Sequence, residues 1–289
     1  MEKPISKKPI SKRAFGQTGL EITCVGLGGE GVLRTYGREP AAKMVIDTAA
    51  GQGIGYFDSA RAYDGSQAYF GQFWRENPKL RQDIFQTSKS ASRDKKRALA
   101  DLDNSLETMG IEYLDLWQIH DVRSEADLHS IESPGGALEA FLEAKEKGKV
   151  RFIGVSGHQD PGILTQALRR WPVDTVLMPV NPVEGVIGGF LDMTLPAALD
   201  KGLAVIAMKV LGASHYLAPE AGITPELLIR YALSHHISLA IVGCSTPQEV
   251  ITLAQVGQTF SPLSPEERQE IEGVFRSSAK RLAYYRGRG

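Results

Sequence analysis

The chain has 289 residues, 42% of them hydrophobic and 23% charged, with a formal net charge of -1. That length supports a large buried core, in one domain if the fold is an α/β barrel, and the balanced charge argues against a nucleic-acid partner, which needs a basic face. Only Cys24 and Cys244 are present, with no CxxC or HxxxH spacing, so neither a disulfide framework nor a metal site is expected.

Residues 1–12, built on a repeat of KPISK, read as a short disordered basic tail rather than a secretory signal. With no apolar run of about 18 residues, no membrane span is expected, and the cysteine usage suits a cytoplasmic protein. The barrel domain is expected over 13–289. At its start "RAFGQTGLEIT" (13–23) carries hairpin turn chemistry and is expected to plug the N-terminal end of the barrel.

Strands are read at 24–28, 54–58, 83–88, 114–120, 150–156, 174–180, 203–208 and 238–243. Most are continuously apolar, the pattern of parallel strands covered on both faces. Between them lie helical stripes: Leu99, Leu102, Leu106 and Met109 ahead of Gly110, then Leu138, Phe141 and Leu142 ahead of Gly148. Thr224-Pro225 starts another helix. Ser264-Pro265-Glu266-Glu267 forms a capping box for a C-terminal helix. Eight βα units at this spacing predict a (β/α)8 TIM barrel with an N-terminal β-hairpin; the missing G-x-G-x-x-G argues against an open doubly wound sheet. Cys24 and Cys244 then fall at opposite ends of the barrel and cannot pair.

Active sites of this fold lie at the C-terminal ends of the strands. Asp58 and Tyr63 follow the second predicted strand, Lys89 the third, and His120 ends the fourth. Singly, each reads as a loop aspartate, a rim tyrosine, a solvated lysine or a core histidine. Together they occupy one end of one barrel.

"GYFDSARAYDGSQAYFG", "TSKS", "DLWQIHDV", "FIGVSGH", "IVGCSTPQE" and the initial "FGQTGLEITCVGLGG" resemble the aldo-keto reductase family, in its order and over essentially the whole chain. The resemblance implies a catalytic tetrad of Asp58, Tyr63, Lys89 and His120, reducing an aldehyde or ketone with NAD(P)H. Tyr63 would be the general acid, its pKa lowered by Lys89; Asp58 would neutralise Lys89, and a neutral His120 would orient the carbonyl.

The same resemblance implies cofactor contacts from Gly28, Gly29, Asp58, Ser156, Gly157, Asn181, Met208, Lys209, Leu211, Gly243, Ser245 and Glu249. Several positions depart from the family pattern: Gly157 replaces a common asparagine, Leu177 a glutamine, Leu253 an asparagine and Met208 a stacking aromatic, although a thioether can also cover a ring face. NADP(H) is the family's usual cofactor. Glu249 stands where arginine or glutamine is frequent and would repel a 2′-phosphate, which leaves NAD(H) as an alternative. Glu30 and Asp121 are expected to border the substrate mouth and to suit polar carbonyl compounds.

Two other readings use the same residues. A barrel lyase would form a Schiff base on Lys89, and a non-catalytic nicotinamide-binding regulatory subunit would keep the barrel without turnover. The expected partner is a small-molecule carbonyl substrate; neither that substrate nor the oligomeric state follows from the sequence.

Overall fold

A computed structural model describes residues 8–287. The strands β1 (Lys12–Ala14) and β2 (Glu21–Thr23) pair antiparallel as a hairpin. Then β3 (Val25–Gly31), β4 (Tyr56–Phe57), β5 (Phe85–Ser90), β6 (Leu114–Ile119), β7 (Val150–Ser156), β8 (Thr175–Pro179), β9 (Ala204–Met208) and β10 (Leu239–Cys244) follow in chain order around a barrel, and β10 closes on β3. The pairings between β10 and β3, β3 and β4, and onward to β9 are parallel. The expected (β/α)8 barrel with its hairpin is therefore present.

Successive residues of a strand face opposite sides, and this alternation builds two layers. Tyr56, Phe85, Leu116, Leu177 and Ile206 point inward and pack with Phe15. Phe57, Trp117, Ile119 and Val176 point outward into the helix layer, where Trp117 stacks on Phe141 with ring centroids 3.6 Å apart. Two residues further along the same inward rows come Asp58, Thr87 and Gln118, and then Lys89 and His120. The polar site is thus the upper part of the barrel interior, resting on an aromatic floor.

The hairpin closes the other end. Phe15 is fully buried, with its ring 5.1 Å from that of Phe85 and 6.5 Å from that of Tyr56. Gly16 (φ +57) lets the turn press against the barrel, since a Cβ there would lie 2.4 Å from the Ala204 nitrogen; the adjoining Gln17 N–H bonds Gly202 O at 3.0 Å.

The ordered contacts begin upstream of the boundary expected after residue 12. Lys12 opens β1, Ile10 is buried, and Ser11 N–H bonds Gly257 O at 3.1 Å. The first copy of KPISK, in the predicted tail, lies outside the described residues.

The helix Lys95–Met109 ends at Gly110 in the left-handed region, and the helices from Pro225 and Pro265 are capped by Thr224 and by the Ser264–Glu267 box. One stripe differs from expectation: Leu142 is 41% exposed, and the helix Ala137–Glu146 buries Ala137, Ala140, Phe141 and Ala144 instead. Small alanines let it approach β6 closely enough for Phe141 to cover Trp117, which turns Leu142 outward. Cys24 and Cys244 are both free and buried; Cys244 is aligned with Gly31, at the far end of the strand that Cys24 precedes. No helix of the described residues is long and apolar enough to cross a membrane.

Candidate active site

The chain leaves β4 at Phe57, and Asp58 N–H continues the ladder to Leu27 O at 2.8 Å. A tight turn follows, in which Tyr63 N–H bonds Ala60 O at 3.0 Å and Arg61 N–H bonds Lys89 O at 3.0 Å. This folds Tyr63 back over Asp58. Lys89 lies inside β5, not beyond it as the strand assignment 83–88 implied, because the ladder to β6 continues through the pairs Lys89–Gln118 and Ser90–Ile119.

Lys89 is 0% exposed and Asp58 1%, so two opposite charges are held almost entirely out of water. Lys89 Nζ donates to Asp58 Oδ1 and Oδ2, each at 2.7 Å, and to Ser59 O at 2.8 Å. These three contacts match the three donors of an ammonium. The Tyr63 hydroxyl oxygen is 3.4 Å from the same Nζ, a longer, shared contact that leaves the phenolic proton free to be donated. Thr87 Oγ1 donates to Asp58 Oδ1 at 3.1 Å. The His120 ring stands edge-on to Tyr63, centroids 5.7 Å apart, and its buried Nδ1 has no hydrogen-bond partner among the described residues.

The electrostatics correct one expectation. The Tyr63 pKa is not lowered: burial first, then the Asp58 and Glu30 carboxylates, push it well above 10. Burial also lowers the Lys89 pKa, with the Asp58 charge and hydrogen bond opposing that shift. His120 is held well below 6.5, by burial first and then by the Lys89 charge, so its imidazole is neutral near pH 7. The site combines a firmly protonated phenol with a neutral imidazole.

Some supporting residues were not legible in the sequence. Arg93 donates to His120 O at 2.9 Å and Asp121 O at 2.8 Å while its Nε bonds Asp127 at 2.9 Å, fixing the turn after β6. Arg34 lies over the Tyr63 ring, 5.1 Å from its centroid. Only Thr87 had a signal: two residues before Lys89 on one strand, it must share that inward face.

Gly29 has a steric role. A Cβ there would come within 2.7 Å of Asp58 O and 2.8 Å of Tyr63 Cδ2. Gly29→Ala is expected to displace the Tyr63 ring and to lower kcat by about ten-fold or more, the scale on which misplacement of a reacting group is felt. A side-by-side kinetic comparison with wild type checks this; unchanged kcat would mean that the ring tolerates the shift.

A cavity of about 690 Å³ runs from Asp58 and Tyr63 past Leu177 and Met208 to the start of the helix Pro247–Thr259. Of the sequence-derived positions it gathers Gly28, Gly29, Glu30, Asp58, Tyr63, Met208, Lys209, Leu211, Gly243, Ser245 and Glu249. Lys89 sits behind Asp58. Ser156, Gly157, Asn181, His120 and Asp121 do not line this cavity.

Several of those are engaged elsewhere. Ser156 Oγ accepts from Asp121 N–H at 3.0 Å and donates to Ile119 O at 3.3 Å. Asn181 caps the helix Pro182–Ile187 and donates to Lys209 O and the Tyr285 hydroxyl, both at 3.1 Å. Asp121, in left-handed backbone (φ 57), turns its carboxylate to Arg123 Nε at 2.7 Å and His158 Nε2 at 3.2 Å. These contacts tie the strand ends together and to the C-terminal segment, where the Tyr285 hydroxyl donates to Glu184 Oε1 at 2.7 Å.

Residues 24–218 match the model of the aldo/keto reductase family. Over 209 residues the chain is 30% identical to L-galactose dehydrogenase of Arabidopsis thaliana, covering 68% of this chain and 64% of that protein. Over 217 residues it is 25% identical to L-glyceraldehyde 3-phosphate reductase of Escherichia coli, covering 68% and 60%. The match thus spans less than two thirds of either relative. The backbone is similar to the crystal structure of an aldo-keto reductase from Klebsiella pneumoniae in complex with NADPH, with a TM-score of 0.74 at 22% identity over 94% of this chain and 96% of that one.

Proposed function

We propose, from the premise that this chain belongs to the aldo/keto reductase family, that it transfers a hydride between a nicotinamide dinucleotide and a small hydroxylated aldehyde or ketone. Tyr63 is the proton donor in this reading. The observation that carries it is the Tyr63 hydroxyl 3.4 Å from an ammonium that is itself locked onto both oxygens of Asp58.

The residues present fit a dinucleotide. The cavity volume of about 690 Å³ lies in the range of ligand pockets. By Tyr63 it is lined by the apolar Leu177, Met208 and Ile241, Lys209 stands beside Glu30, and the end at the helix Pro247–Thr259 carries Ser245 and Thr246. Met208 and Leu177 would cover a nicotinamide ring, while Lys209 would meet a diphosphate. The bound dinucleotide supplies or accepts the hydride.

The chain's own groups handle the proton. As negative charge grows on the carbonyl oxygen, Tyr63 O–H donates its proton there, and Lys89 stabilises the phenolate left behind. Phenolate formation is uphill before substrate binds, because burial holds the phenol protonated. The donor is thus kept in its acid form until an oxyanion is present to receive the proton. His120, neutral and edge-on to Tyr63, would orient the same oxygen through a ring N–H.

Glu30, at the cavity wall with Arg34 on it at 3.0 Å, would accept hydrogen bonds from substrate hydroxyls. The names of the Arabidopsis and E. coli relatives, both hydroxylated carbonyl chemistry, support that substrate class. The Schiff-base alternative has less support, since the lone pair it needs is absent from an ammonium with three short acceptors.

A pH profile follows from the shifts. His120 titrates below 6.5 and Tyr63 above 10, so kcat/KM for reduction is expected to stay level between these limits. A profile of initial rates with an aldose tests this. A fall with a midpoint near 8 would contradict the assignment of Tyr63 as a donor whose pKa is raised.

A further inference from the structure

The wall of the cavity is unevenly charged. Among the described residues that line it, Lys209 is the single basic side chain, against the carboxylates of Glu30, Asp58, Glu226 and Glu249. Asp58 is neutralised by Lys89 from behind, and Glu30 by Arg34 at 3.0 Å. Glu226 and Glu249 remain on the wall towards the far end. A dinucleotide diphosphate brings two negative charges, and the one cation on this wall to meet it is Lys209, whose Nζ also lies 3.9 Å from Glu30 Oε1. A further phosphate monoester, carrying about 1.5 to 2 charges near pH 7, would meet no cation on this wall.

The helix that ends the cavity does not compensate. A helix N-terminus receives phosphate through free backbone N–H groups and a favourable dipole. At Pro247–Thr259, Pro247 has no N–H, Glu249 N–H is bonded to Thr246 Oγ1 at 3.3 Å, and Ser245 N–H is bonded to Glu249 Oε2 at 2.6 Å. The protein's own carboxylate thus sits where the dipole would attract an anion and holds one of the amides that would bind it. A neutral ribose hydroxyl carries no such penalty, and a carboxylate is a suitable acceptor for it.

We infer that the cavity selects NAD(H) over NADP(H), with Glu249 as the residue that rejects the additional phosphate. The inference rests on the proposed dinucleotide-dependent function and narrows it.

The test is a pair of titrations of the full chain with NADH and with NADPH, followed by quenching of protein fluorescence, for wild type and Glu249→Arg. NADH is expected to bind wild type about ten-fold or more tightly than NADPH, a difference that shrinks as salt is raised. Glu249→Arg is expected to tighten NADPH binding by about ten-fold, since it replaces a repelling charge with a phosphate partner. NADPH binding wild type as tightly as NADH overturns the inference and leaves the reductase reading standing. So does a Glu249→Arg protein that binds NADH but gains nothing for NADPH. Binding of neither dinucleotide overturns the reductase reading, and the inference with it.

Discussion

Tyr63→Phe is expected to lower kcat by about 10² to 10⁴-fold, the usual contribution of a positioned general acid, while dinucleotide binding and thermal unfolding stay close to wild type. Phenylalanine keeps the ring that rests against Gly29, Arg34 and His120 and removes only the oxygen. The Tyr63 hydroxyl is held in the protein by one long contact, 3.4 Å from Lys89 Nζ, so its loss costs the fold little. The comparison also separates an enzyme from a regulatory subunit: a binding protein would keep its function in this variant. Steady-state rates with one aldose, alongside a dinucleotide titration, provide the check. A Tyr63→Phe protein with wild-type kcat would remove tyrosine from the chemistry.

Lys89→Met has the second large effect, and it reaches stability as well as rate. It leaves the Asp58 carboxylate, 1% exposed, with Thr87 Oγ1 as its remaining side-chain donor. Breaking a buried ion pair by removing one partner typically costs about 3–5 kcal/mol, and urea unfolding would show it as a lower midpoint with an unchanged slope. The double variant Asp58→Asn/Lys89→Met is expected to recover most of that stability, because no charge is left unpaired. Its turnover is expected to remain lost, because nothing stabilises the phenolate of Tyr63. Recovery of turnover in the double variant would mean that the pair holds the barrel together without acting in proton transfer. A Lys89→Met cost below about 1 kcal/mol, the scale of an exposed pair, would mean that Asp58 finds another partner.

Much of this arrangement could be read from short-range pattern. Apolar runs with helical stripes between them placed the strands, and strand ends placed Asp58, Tyr63 and His120 at one mouth. Lys89 is legible too, but the pattern ends its strand at Ser88, because polar residues at the top of a barrel look like the start of a loop. Features that depend on distant partners were out of reach. Asn181 is held by Tyr285, 104 positions away, and the Arg93 clamp joins residues 27 and 28 positions apart. The direction of the Tyr63 shift is likewise hidden from the sequence. A lysine nearby suggests a lowered pKa, but the burial of Tyr63, with the carboxylates of Asp58 and Glu30, outweighs it.

Carbonyl reduction at this site is tested most directly by following nicotinamide absorbance after the purified protein is mixed with NADH and a small hydroxylated aldehyde such as glyceraldehyde. The predicted result is consumption of one NADH for each carbonyl lost, with the rate collapsing in Tyr63→Phe while that variant still binds NADH. If no NADH or NADPH is consumed with any of a panel of hydroxylated aldehydes and ketones, and neither dinucleotide binds, the site at Asp58, Tyr63, Lys89 and His120 is not a carbonyl-reducing centre.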